Sequence, residues 1–168
     1  MQLEVVILGL EVYKVFGMAF LALKACFLQC GVMRKLCMQY HMWLNNIENK
    51  EKLSAIFKED IPSLNDVIVK ELKLHYNGPL IEMRIELKDY PINPPKKWII
   101  NKYNKVDLVF QLIEVKFISI TKWNNINLCD LCMSKENDEL IIVSNGDCVF
   151  KLVANWIRIE TISAFQSS

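Results

Sequence analysis

Apolar and polar positions alternate without a fault through residues 81–88, the body of a strand expected over 80–88. Ile81, Met83, Ile85 and Leu87 fall on one side, Glu82, Arg84, Glu86 and Lys88 on the other. A period of two puts successive side chains on opposite faces, so this is an antiparallel strand with one face in a core and the other in water. Residues 67–76 are its partner across Asn77-Gly78, a dipeptide that accepts the positive φ values of a tight turn, and Pro79 lengthens the loop beyond two residues. In that partner Ile68, Leu72, Leu74 and Tyr76 are expected inward, and Glu71, Lys73 and His75 outward. Alternation resumes at 104–112, with Val106, Leu108, Phe110 and Leu112 sharing a face. Further strands are expected at 115–123, 126–133, 140–143, 148–153 and 156–162, with turns at 135–138 and 145–147. Several of these are apolar on both faces, so something covers the second face. Upstream, residues 48–58 place Leu53, Ile56 and Phe57 on one helical stripe, with Asn46 or Asn49 to cap it. The pattern predicts a mainly β (α+β) domain: a twisted antiparallel sheet curled into a sandwich or open barrel, with one short amphipathic helix packed on it.

The interruption between the second and third strands is unusual. Tyr90-Pro91-Ile92-Asn93-Pro94-Pro95-Lys96-Lys97-Trp98 holds three of the five prolines in the chain. Proline fixes φ and lacks a backbone donor, and it pushes the preceding residue to extended geometry. The expectation is a stiff, exposed, cationic crossing. Its terminal Trp98 either anchors the crossing to the core, the favoured reading, or serves an interface. Trp123 and Trp156 are expected in the core.

Residues 1–41 do not share the pattern. They form an apolar N-terminal extension, uninterrupted over 15–23, and the domain is expected to occupy 42–168. The only charge before the apolar run begins is Glu4, which is not the basic start of an export signal. Residues 15–33 have the length of a membrane span, with Lys24 at the middle, where a lysine costs about 2.5–3.5 kcal/mol. Arg34-Lys35 would put the C-terminal end inward. Three readings stand: upstream reading frame taken in by a wrong start, a helix packed on the domain, or a membrane anchor. A helix is expected if the segment is expressed.

A chain of 168 residues, 52% hydrophobic and 23% charged, has the material for one domain with a real core. Residues 1–37 hold four basic residues against two acidic ones (+2), and the rest holds 16 against 17 (−1), for a net of +1. The main body therefore lacks the basic field of a nucleic-acid binder. Six cysteines in so aliphatic a chain read as free thiols in a reducing cytoplasm.

Candidate chemistry is sparse. Cys129 and Cys132 form a C-x-x-C, but Cys26, Cys30, Cys37 and Cys148 supply no second pair at zinc-ligand spacing. On a strand, residues three apart face opposite ways, so buried, unpaired thiols are expected. Cys26 and Cys30 share a helical face without histidine partners. His41 and His75 have no nucleophile pattern beside them, and glycine is too scarce for a phosphate-cradling loop. Glu82 and Glu86 are paired carboxylates, the raw material of acid–base catalysis. With Arg84 between them and Lys73 nearby, an exposed salt-bridge ladder is the better reading. No catalytic residue, cofactor or metal is expected.

The stretch Ile61-Pro62-Ser63-Leu64, the Asn77-Gly78 turn, the run from Pro91 to Trp98, Asn104-Lys105-Val106 and Trp123 occur in an order that resembles the immunity protein 50 family of bacterial polymorphic toxin loci. The resemblance covers Met42 to about the chain's end, and residues 1–41 depart from it. It implies a cytoplasmic protein that binds a cognate toxin domain and neutralises it by stoichiometric occlusion. It transfers no catalytic residues. The outward ladder Glu71, Glu82, Arg84 and Glu86, with Lys96, Lys97 and Trp98 of the crossing, is the expected partner-binding set. The alternative is a β domain anchored in a membrane by residues 15–33. A small enzyme using the exposed carboxylates is the remote third.

Overall fold

The computed structural model describes residues 42–76 and 78–167. The extension, with its expected helix or anchor at 15–33, and Asn77 lie outside the described residues. Among those described, no helix is long and apolar enough to cross a membrane.

Six antiparallel strands close into a barrel. They are β1 (Val67–His75), β2 (Leu80–Leu87), β3 (Lys105–Lys122), β4 (Leu128–Glu136), β5 (Glu139–Gly146) and β6 (Val149–Phe165). Their order around the barrel is β1-β2-β3-β6-β5-β4, and the closing β1–β4 contact pairs only Val67 with Cys129 and Ile68 with Leu128. The strictly alternating segments behave as their period requires. Ile81, Met83, Ile85 and Leu87 of β2 and Val106, Leu108, Phe110 and Leu112 of β3 all point into the core.

Six strands replace the eight expected because two breaks in alternation are bends within continuous strands. Residues 104–112 and 115–123 fuse into β3, 148–153 and 156–162 into β6. The inward set of β6 runs Phe150, Leu152, Ala154 and then Ile157, Ile159, changing parity at Asn155-Trp156. Opposite that step Glu114 of β3 adopts φ 55°, and the Asn155 side-chain amide donates to its carboxylate. The chain absorbs a change of face there while the ladder continues, as strands do at bulges. The same device corrects the reading of β1. A register shift between Val69 and Glu71 makes Val67 and Val69 the buried residues and turns Ile68 partly out; Leu72 and Leu74 keep the inward face, opposite Met83 and Ile81, but Leu74 and Tyr76 lie exposed at the strand's end. Trp123 and Trp156, expected in the core, are 42% and 46% exposed, because one follows the end of β3 and the other sits on the β6 bend.

β3 and β6 are twice the length of their neighbours, so the second half of β6 has no strand on its outer side. The chain before β1 takes that place. Glu48 N–H donates to Ile157 C=O at 3.1 Å. The Asn49 side chain accepts from Ile159 N–H and donates to Ile159 C=O, each at 2.8 Å. With Asn49 so engaged, helix α1 (Glu51–Phe57) begins later than expected, with Lys50 as its uncapped N-cap. A 3₁₀ helix (Met42–Asn46) precedes it and brings Trp43 edge-on to Phe110. Leu53 and Phe57, one turn apart on α1, complete this end of the core.

The stiff cationic crossing that the prolines imply contains a helical turn, α2 (Lys96–Ile100), which the sequence reading did not anticipate. Pro95 is extended and, as N-cap, accepts from Trp98 N–H at 2.8 Å. Prolines thus set the entry to a helix that they would break from within.

Candidate functional site

The outward faces of β1, β2, β3 and β6 form one polar surface, because register aligns their polar positions in rows. One row runs Lys73, Glu82, Gln111, Arg158 across all four strands. Arg158 Nε donates to Gln111 Oε1 at 2.9 Å, and Gln111 Nε2 donates to Glu82 Oε1 at 3.2 Å. Lys73 Nζ lies 3.6 Å from Glu82. His75 Nε2 is 3.3 Å from the same carboxylate, near enough for attraction but not aligned as a hydrogen bond. A second cluster centres on Glu86, which receives Lys70 at 3.0 Å and Lys105 at 3.1 Å. Lys70 also reaches Asp107 at 2.8 Å and lies 3.9 Å over the Phe165 ring. Between the two clusters, Glu71 and Arg84 face each other across β1 and β2, both exposed.

These contacts shift the proton affinities. The hydrogen bond from Gln111, with His75 and Lys73, holds Glu82 below the usual carboxylate range. Burial alone would raise Glu86, but Lys70 and Lys105 outweigh it and the net shift is downward. Lys70 is likewise disfavoured by burial, yet Asp107 and Glu86 raise it. A carboxylate with a depressed folded value contributes stability above its unfolded value, near 4.5, and loses it as pH falls through the folded value. Urea midpoints are therefore expected to fall as pH drops from 6 towards 3. Glu86→Gln, which cannot titrate, should show a smaller fall; an identical fall would show that Glu86 does not contribute.

The expected partner-binding residues separate into three groups. Glu82 and Glu86 are spent on intramolecular pairs. Glu71, Arg84, Lys96 and Lys97 are exposed and make no ion pair among the described residues. Trp98 is only 8% exposed, its ring 6.2 Å from that of Tyr90, so it anchors the crossing and offers a partner little surface. The crossing joins β2 to β3, whose first residue, Lys105, pairs with Glu86 of the ladder. The sequence reading passed over Ile92, Ile99 and Ile100, which are 74%, 60% and 78% exposed around the two lysines. Two isoleucines directly after a buried tryptophan, on a helix of five residues, cannot both turn inward; that was the available signal.

The C-x-x-C carries no joint site. Cys129 and Cys132 are both buried, and the Sγ of Cys129 lies 3.4 Å from Cys148 instead. Burial keeps the Cys129 thiol protonated far above its ordinary range, the opposite of an activated thiolate. Among the described residues, no three His, Cys, Asp or Glu side chains gather as a metal site.

The family described as Immunity protein 50 matches residues 49–165, more than half of the chain. The match begins at Asn49, which secures the edge of β6, and ends at Phe165, the last residue of β6, so it spans every strand of the barrel. No curated protein and no solved structure matches the chain.

Proposed function

The chain belongs to the immunity protein 50 family, and from that membership we propose that it neutralises a cognate bacterial toxin domain by binding it one to one and covering its working surface. The match over the whole barrel carries this reading. Neutralisation by occlusion asks for a rigid scaffold and a complementary surface; it needs no cofactor and no catalytic residue. The protein would act in the cytoplasm of the cell that makes the toxin.

The surface we assign to the toxin is the outward face around Arg84, together with Lys96 and Lys97 on α2. Among the described residues these cations have no ion-pair partner, so a facing acidic surface would gain their attraction without first breaking an ion pair. Charges of this kind act mainly on the rate of encounter and on the rejection of wrong partners. Glu82 and Glu86 belong to the same face, but their reversal would set cations against Lys73, Lys70 and Lys105 and disturb the fold.

The test is co-expression with the toxin encoded beside it, together with a direct binding measurement. The native chain should form a 1:1 complex and protect the cell. The triple reversal Arg84→Glu, Lys96→Glu, Lys97→Glu should slow association by about tenfold or more at low salt and weaken protection, with Tm unchanged. Full protection by that variant would discard this surface. Failure of the native chain to bind or protect would discard the function.

A further inference from the structure

The barrel's closing contact along β1 is short. β4 pairs with Val67 and Ile68 only, and Asn127 supplies one further rung. Its carbonyl accepts from Val69 N–H at 3.0 Å, and its side-chain amide donates to Val69 C=O at 3.4 Å. Beyond Val69, the strand has β2 on one side and, among the described residues, no strand on the other. Val69 turns both backbone groups away from β2. Antiparallel alternation, carried across the bulge at Lys70, then directs those of Glu71 and Lys73 to β2 and those of Leu72 and Leu74 to the open edge. Such an edge, beside a Leu74 that is 60% exposed and a fully exposed Tyr76, is a template for another strand.

The edge's own sequence says which strand fits. Laid antiparallel on itself about Leu72, Lys70-Glu71-Leu72-Lys73-Leu74 sets Leu72 against Leu72 and Glu71 against Lys73, twice by symmetry. Opposite charges directly across a ladder are favourable. Glu71 makes no ion pair among the described residues, and Lys73 has only the 3.6 Å contact with Glu82. The residue on the two-fold axis is one whose backbone groups face outward, as a symmetric hydrogen-bonded pair requires.

We propose that two copies of this chain pair β1 to β1, antiparallel about Leu72, in a two-fold dimer held by the Glu71–Lys73 pairs across its centre. The contact is self-complementary, as a two-fold interface must be. It is also small, so the dimer is a weak one in the micromolar range or above. Arg84 lies on β2, one strand in from the edge, so the dimer and the toxin surface are separately testable.

Sedimentation equilibrium of the full chain across the micromolar range tests this. A monomer–dimer equilibrium is expected. Glu71→Lys and Lys73→Glu should each raise the dissociation constant about tenfold, and the double reversal should restore it by re-pairing opposite charges. A native chain that stays monomeric overturns the proposal, as does a dimer indifferent to both single reversals, or one that the double reversal fails to restore.

Discussion

Phe110→Ala is expected to lower unfolding free energy by about 3–5 kcal/mol, a large part of the 5–15 kcal/mol that holds a domain of this size. Phe110 is fully buried in the first half of β3, with Met83 and Ile159, themselves fully buried, as its cross-strand neighbours. Trp43 meets its ring edge-on, 6.1 Å between centroids and 89° between planes. Removing the ring loses its transfer free energy and leaves a cavity. β2, β3 and β6 are fixed by their ladders and cannot close in to fill it. Trp43 seats the segment before β1 on Phe110, and its indole N–H ties that segment together by donating to Pro62 C=O at 3.2 Å. The loss should therefore appear first as loosening of that segment, seen as a red-shifted Trp43 emission, and then as a lower urea midpoint. A cost below about 1 kcal/mol would mean that Phe110 is not the centre of the core.

Gly146→Ala is expected to cost about 3 kcal/mol or more, although it adds a single methyl group. Two effects combine. Gly146 has φ 141°, where a side chain is strained. A Cβ there would lie 2.6 Å from the Leu128 carbonyl oxygen and 2.8 Å from the Cys129 Cα, both backbone atoms that cannot swing aside. Gly146 is the register partner of Cys129, so relief would require pulling β5 from β4 beside the short β1–β4 closure. Gly78→Ala is the control. Its φ is 86° but nothing lies within 4 Å of the added carbon, so only the conformational cost of about 1 kcal/mol should appear. Equal midpoints for the two variants would rule out the close approach at Gly146.

The surface proposed for the toxin was only half visible in the sequence. Alternation put Glu82, Arg84 and Glu86 outward, and the structure agrees, because period two survives any rearrangement that keeps β2 in a sheet. What alternation could not tell was which of those charges are already spent. Glu86 is engaged by Lys70 and Lys105, one from the strand before it and one from the strand after. Only the β1–β2–β3 register brings these three residues together, and only then does Arg84 stand out as unpaired. The same holds for Trp98, whose place in the core depends on a helical turn that Pro95 caps.

The sequence by itself determined the antiparallel β class, the inward faces of β2 and β3, the helical stripe of α1 and membership in a family, because each rests on local periodicity or on a contiguous motif. The tertiary structure alone decided the strand count, the face of β1 and the exposure of Trp123 and Trp156. The strand count, the face of β1 and the exposure of Trp156 depend on a bulge or a positive φ that moves side chains from one face to the other, and at Lys70, Glu114 and Trp156 no glycine or proline marks the change; Trp123 is exposed because β3 ends before it. It also decided that the barrel closes by two residue pairs and leaves the rest of that edge of β1 without a strand among the described residues, since closure depends on how far strands distant in sequence run together, which no single segment encodes.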